Sequence, residues 1–193
     1  MYGFLKRFFD IVLSLVAIIV FSWLLIIIAV AIVVEDKGNI LFKQKRIGKN
    51  KKEFYIYKFR TMKVSTPKDV PTHLLDNPES YITKIGGFLR KTSLDELPQL
   101  FNILIGDMSL VGPRPERPQF VEKFKEEIPR YMIKHQVRPG MTGWAQINGY
   151  RGDTSIKKRI EHDLYYIENW TMGLDFKILF LTFFKGFINK NAY

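Results

Sequence analysis

No cysteine occurs among the 193 residues. This excludes disulfides, thiolate metal sites and thiol nucleophiles, and nothing points to an oxidising compartment. Histidine is scarce, and His73, His135 and His162 form neither a metal-ligand spacing nor an HExxH helix. No Walker loop and no GxGxxG fingerprint is present, which removes two Gly-rich phosphate cradles from consideration. Internal repeats and low-complexity tracts are lacking too. Acidic residues are outnumbered: 19 Asp plus Glu face 30 Lys plus Arg, for a formal net charge of +11. That excess implies an anionic partner, whether nucleic acid, anionic lipid or a phosphorylated substrate. The length suffices for one domain with a core of its own.

What is present begins with a long apolar run. From Ile11 to Val34 every residue is apolar except Ser14 and Ser22. As a continuous helix it would measure roughly 36 Å, enough to cross a bilayer core. A secretory signal would end in a small-residue cleavage site, whereas this run ends in Val33-Val34-Glu35-Asp36. Lys6 and Arg7 precede it, and a denser basic cluster from Lys37 to Lys52 follows it. The positive-inside rule therefore keeps the C-terminal flank in the cytoplasm. Two topologies remain open on these grounds: a single span, or a helix that dips in, breaks and returns. Ser22 lies near the middle and can assist a break by bonding to backbone carbonyls.

Beyond the run, Ile40 to Arg46 and Glu53 to Phe59 read as two short strands joined by a turn at Gly48-Lys49-Asn50-Lys51. Val64 to Ser80 carries three prolines and reads as a mobile loop. Helices are predicted over Ile82–Lys91, after Ser93, over Phe120–Lys134 with a break at Pro129, over Ser155–Glu168 and over Leu174–Asn189. Arg138 to Gly149 reads as an irregular Gly-rich loop. The last helix is rich in Phe and bounded by Lys, and is read as an interfacial helix in preference to a core helix. The expected fold is α+β, mostly helical, with a small β-hairpin, a membrane-embedded N-terminal helix and several surface or interfacial amphipathic helices. Residues 1–36 form the membrane helix and 37–193 the membrane-associated catalytic domain.

The chemistry-bearing stretch is Ser93-Leu-Asp95-Glu96-Leu-Pro98-Gln99, followed by Gly106-Asp-Met-Ser-Leu-Val-Gly-Pro113-Arg114-Pro115. Ser93 and Glu96 have the spacing of a capping box, a purely structural role. In that arrangement Asp95 sits in the first turn of a helix, where the positive helix end favours its ionised form. A fixed, ionised carboxylate can attack phosphorus and form an acyl phosphate. Pro98 would cost this helix one ladder hydrogen bond. Candidate phosphate-binding cations are Lys58, Arg60, Arg90, Arg114, Arg138 and Arg151. Arg114 stands out, because two flanking prolines restrict its backbone and guanidinium groups bind phosphate in a bidentate fork. Asp95 and Glu96, without His or Cys, suit a hard cation such as Mg²⁺.

Five blocks in order now give a resemblance over essentially the whole chain. They are Lys6-Arg-Phe-Phe-Asp10, Phe54-Tyr-Ile-Tyr-Lys58-Phe-Arg60-Thr-Met62, the Ser93 block, the Gly106 block and Val137-Arg-Pro-Gly-Met-Thr-Gly-Trp-Ala-Gln-Ile-Asn-Gly149. The chain resembles the monotopic phosphoglycosyl transferases, bacterial sugar transferases that initiate glycan assembly. The resemblance implies catalytic residues Asp95 and Glu96. Asp95 would attack the β-phosphate of a UDP-sugar, release UMP and pass the sugar-phosphate to polyprenyl (undecaprenyl) phosphate. Glu96 would serve metal binding or proton transfer, Mg²⁺ would be the metal, and Arg114 would lie near the nucleotide diphosphate. It also implies the bacterial inner membrane, with the catalytic domain on the cytoplasmic face, a re-entrant helix, and no nucleic-acid partner. Members of this family usually break that helix at Ser-Pro, where this chain has Ser22-Trp23.

Arg114-Pro-Glu-Arg117, Tyr150-Arg-Gly-Asp153-Thr154 and the stretch from His162 to Trp170 resemble the branch acting on UDP-glucose or UDP-galactose. Larger members of that branch carry four further membrane helices and an added domain, so a natural minimal form or a trimmed piece is expected here. The competing expectation is a non-enzymatic basic membrane adaptor that holds anionic lipid or nucleic acid.

Overall fold

The computed structural model describes residues 3–67, 77–152 and 154–186. The apolar run forms two helices, α1 (Phe4–Val20) and α2 (Ser22–Glu35), bent by 61° at Phe21. Among the described residues no single helix is long and apolar enough to cross a membrane. The break needs no proline. Phe21 leaves helical geometry at φ −96°, ψ 10°, and the Ser22 hydroxyl donates to the Ile19 carbonyl at 2.8 Å.

What holds the bend lies at its two ends. In α1, Lys6, Asp10 and Ser14 recur at helical spacing and are buried on one face. Lys6 Nζ meets Asp175 Oδ2 at 2.6 Å, and Asp10 accepts from the Ser109 hydroxyl at 2.9 Å and the Leu110 amide at 3.0 Å. Arg7 donates to the Ile103 and Leu104 carbonyls at 2.6 and 2.8 Å. At the far end of α2, Glu35 and Asp36 bind the same globular body. The outward faces remain apolar: Phe4, Trp23, Ile26 and Val34 are 87%, 60%, 64% and 79% exposed.

Strands β1 (Leu41–Ile47) and β2 (Glu53–Phe59) pair antiparallel, Leu41 opposite Phe59 and Ile47 opposite Glu53. Their connection is the expected turn, with Asn50 and Lys51 at positive φ. Most of the loop expected over 64–80 falls on residues 68–76, outside the described residues, as do residues 187–189 of the last helix.

Helix α3 (Lys84–Thr92) is capped by Thr83, whose hydroxyl accepts from the Gly86 amide. It packs directly on the chain leaving β2: a Cβ at Gly86 would lie 2.1 Å from the Thr61 carbonyl oxygen. A 3₁₀ turn, Leu94–Glu96, joins α3 to α4 (Gln99–Ile105). Helix α4 is pinned to β2 through buried Asn102, which donates to the Tyr55 carbonyl (2.8 Å) and accepts from the Tyr57 amide (2.9 Å).

The stretch expected as an irregular loop after Arg138 holds a strand and a short helix. Strand β3 (Ser109–Val111) pairs in parallel with β4 (Gly140–Thr142), while α5 (Pro118–Glu127) lies between them in sequence and α6 (Trp144–Ile147) follows β4. Only glycine fits here, because a Cβ at Gly140 would sit 2.0 Å from the Gly112 amide nitrogen. Local composition could not show this, since the pairing is long-range. The expected break at Pro129 is present, with a 3₁₀ stretch, Tyr131–Gln136, after α5.

Helices α7 (Ile156–Glu168) and α8 (Met172–Gly186) complete the fold, with Ser155 capping α7. Helix α8 divides between the two readings of it. Ile178 is fully buried in the core with Val111 and Tyr166, whereas Phe180 and Phe183 are 65% and 67% exposed.

Candidate active site

Asp95 and Glu96 lie in the 3₁₀ turn between α3 and α4, both buried. The capping box expected at Ser93 does not form. Ser93 adopts left-handed geometry at φ 58°, ψ 16°, whereas an N-cap residue is extended. Its hydroxyl instead accepts from Arg151 Nη1 at 3.1 Å. Pro98 stands at the N-cap of α4, so no ladder hydrogen bond is lost. The turn lies between the left-handed Ser93, which ends α3, and Pro98, the N-cap of α4.

Three of the sequence-predicted cations converge on the pair. Lys58, from β2, is 2.8 Å from Glu96 Oε1 and 3.5 Å from Asp95 Oδ2. Arg114 Nη2 lies 3.0 Å from Glu96 Oε1, and Arg151 Nη2 lies 3.1 Å from Glu96 Oε2. The others are held elsewhere. Arg60 pairs with Asp36 at 2.7 Å, Arg90 donates to the Thr61 hydroxyl at 2.9 Å, and Arg138 donates to the Gly106 carbonyl at 2.9 Å.

The two carboxylates are therefore unlike. Burial pushes Glu96 up, but Lys58, Arg114 and Arg151 together outweigh it and hold the carboxyl well below its ordinary value. Glu96 in turn raises Arg114. Asp95 moves the other way: burial raises it above the ordinary value, Lys58 pulls it down and Glu96 pushes it up again. Neighbouring acids driven apart by their surroundings can divide two roles between them.

A supporting layer escaped the sequence reading. Arg46 donates to the Pro115 carbonyl at 3.0 Å, next to Arg114, and burial followed by repulsion from Arg114 lowers it to about 10. Arg159 joins Glu116 (2.9 Å) to the Gly152 carbonyl (2.5 Å) and so braces the loop that carries Arg151. Glu116 had a faint signal, two residues after Arg114. Arg159 lies mid-helix, and nothing in its spacing marked it.

Among the described residues no group of three or more Asp, Glu or His side chains gathers as a metal site. Both Glu96 oxygens are engaged by cations, which leaves Asp95, with Lys58 at 3.5 Å, as the less engaged carboxylate. That donor set fits Mg²⁺ held by one carboxylate, water and substrate phosphates, and does not fit a metal caged by protein alone.

Comparison with known proteins shows the family. Residues 1–189 match the family described as bacterial sugar transferase. The chain is 48% identical, over 98% of its length, to the UDP-glucose:undecaprenyl-phosphate glucose-1-phosphate transferase of Escherichia coli, and covers 41% of that protein. It is 46% identical to the UDP-N-acetylgalactosamine-undecaprenyl-phosphate N-acetylgalactosaminephosphotransferase of Aeromonas hydrophila, over 94% of this chain and 43% of the relative. It is 42% identical to the exopolysaccharide production protein PSS of Rhizobium leguminosarum, over 95% of this chain and 98% of that one. The chain thus spans about two fifths of the length of the first two relatives and nearly all of the third. These relatives do not favour the adaptor reading.

Proposed function

This chain belongs to the bacterial sugar transferase family, and on that premise we propose that it moves a sugar-1-phosphate from a UDP-sugar, of the glucose or galactose type, to polyprenyl phosphate. The observation that carries this reading is the unequal carboxylate pair: Glu96 bonded to three cations, Asp95 buried beside it with Lys58 at 3.5 Å. A carboxylate with a raised proton affinity is the better nucleophile of two, and Asp95 is that one.

In the first step an Asp95 oxygen bonds to the β-phosphorus while the bond to the bridging oxygen breaks, and UMP leaves with the electron pair. In the second, a phosphate oxygen of the polyprenyl carrier attacks that phosphorus and the Asp95 carboxylate is released. Lys58, Arg114 and Arg151 offset the negative charge that gathers at the transferring group. Glu96 gathers the three cations next to Asp95. Mg²⁺, when bound, supplies charge neutralisation on the phosphate oxygens.

The helix pair supports a re-entrant anchor at the inner membrane with the catalytic body on its cytoplasmic face. Both ends of the pair bind one globular body, which a single crossing would separate. A polyprenyl tail stays in the bilayer, since each buried CH₂ contributes about 0.8 kcal/mol, so the site must meet its phosphate at the surface.

The test is UMP release from a panel of UDP-sugars with Mg²⁺ and polyprenyl phosphate. Asp95→Asn is expected to lower turnover at least a thousandfold and to form no sugar-phosphate adduct by intact mass. Full activity in that variant would remove Asp95 from the nucleophile's role.

A further inference from the structure

Glu35, the last residue of the helix pair, and Asp36, its C-cap, grip the start of α3 and the chain just after β2. Glu35 Oε1 and Oε2 accept from the amides of Lys84 (2.6 Å) and Ile85 (3.0 Å), the opening turn of α3. These amides have no partner within their own helix, and a carboxylate there also complements the helix dipole. Asp36 pairs with Arg60 Nη1 at 2.7 Å and accepts from the Val64 amide at 2.7 Å, and its carbonyl takes a second bond from Arg60. Arg60 directly follows β2.

From these two anchor points the chain leads to the site by two routes. Helix α3 runs to Thr92 and the chain delivers Asp95 three residues later. Strand β2 carries Lys58, which touches both Asp95 and Glu96. The routes are cross-tied between their ends, because Arg90 of α3 donates to the Thr61 hydroxyl and α3 lies on the Thr61 backbone at Gly86. The anchor point sits where lipid-facing surface stops: Val34 is 79% exposed and Glu35-Asp36 follow at once.

We propose that Glu35 and Asp36 are positioning residues that set the height of Asp95 above the bilayer, and so serve the membrane-bound acceptor more than the nucleotide sugar. This rests on the transferase reading above. A polyprenyl phosphate offers its attacking oxygen at a level fixed by the lipid surface. A sugar-phosphate carried on Asp95 of a drifting body would meet that oxygen rarely, because small misplacements are costly when both partners are held. A UDP-sugar arrives from water and imposes no such level.

The experiment measures each protein in nanodiscs with two acceptors, a long-chain polyprenyl phosphate embedded in the bilayer and a short-chain, water-soluble prenyl phosphate. Single-turnover UMP release without acceptor is followed in parallel. Glu35→Ala and Asp36→Asn are expected to lower turnover of the embedded acceptor about tenfold or more. The soluble acceptor and the UMP burst should stay within about twofold of wild type. Glu35→Gln keeps one acceptor atom for the α3 amides and should fall between; it serves if Glu35→Ala fails to fold. A merely structural role would lower all three readouts together, and that result, or no change in any, would overturn the proposal. Absence of UMP release by wild type with either acceptor across the UDP-sugar panel would instead sink the transferase reading itself.

Discussion

Asp95 and Glu96 adjoin in sequence and diverge in energetics. Glu96 has a depressed proton affinity in the folded state, so its stabilising contribution is complete above the ordinary glutamate value and fades as pH falls through the lower folded value. Asp95 is raised by burial first. Its contribution therefore favours folding at low pH and is lost as pH rises through the folded value, leaving a penalty at neutrality. Two variants should then part company in thermal unfolding at pH 7. Glu96→Gln strands three cations and should cost toward the lower end of about 3–5 kcal/mol, since Lys58, Arg114 and Arg151 keep some water contact. Asp95→Asn should unfold at or above the wild-type temperature while losing turnover. The acid limb of the UMP-release profile should lie above the ordinary aspartate value; a limb at or below it would contradict the assignment.

At the scale of elements, the bend between α1 and α2 is held by its attachments. Ser22 supplies one hydrogen bond, worth about 1 kcal/mol, whereas α1 is tied down by the buried Lys6–Asp175 pair. Asp175 also accepts from the Tyr166 hydroxyl at 2.6 Å and the Trp170 indole at 3.1 Å, so α1, α7 and α8 meet on one carboxylate. Lys6→Met should lower stability by about 3–5 kcal/mol, because it leaves that charge buried without a cation. Adding Asp175→Asn should recover much of the loss. A double-mutant cycle by denaturant titration checks the coupling, and additive losses would mean that the pair does not hold the helix.

For the whole molecule, the consequence is topology. With both ends of the helix pair on one body, a cysteine introduced at position 2 and one at Lys123, an exposed site on α5, should be labelled from the same side of sealed inverted vesicles. Labelling from opposite sides would establish a single crossing and displace the re-entrant reading. The exposed phenylalanines of α8 and the apolar outer faces of α1 and α2 are the surface such an anchor presents to lipid.

The apolar run, the basic surplus, the hairpin and the adjacent carboxylates were legible from residues alone, because each is a local pattern of polarity or turn chemistry. The choice between a straight and a broken apolar helix, the 3₁₀ turn under Asp95 and the β3–β4 pairing were not. Each depends on partners distant along the chain, such as Asp175 for Lys6, Arg151 for Ser93 and Gly140 for Ser109. The cations divide in the same way. Lys58 and Arg151 look no different in sequence from Arg60 and Arg138, and Arg114 is marked by its flanking prolines alone; the packing of β2, the Pro-Arg-Pro segment and the loop before α7 around one buried turn brings those three to the carboxylates. Residue type determined which charges were available; close approach in three dimensions decided which of them meet, since Coulomb attraction and burial act over a few ångströms of space whatever the separation along the chain.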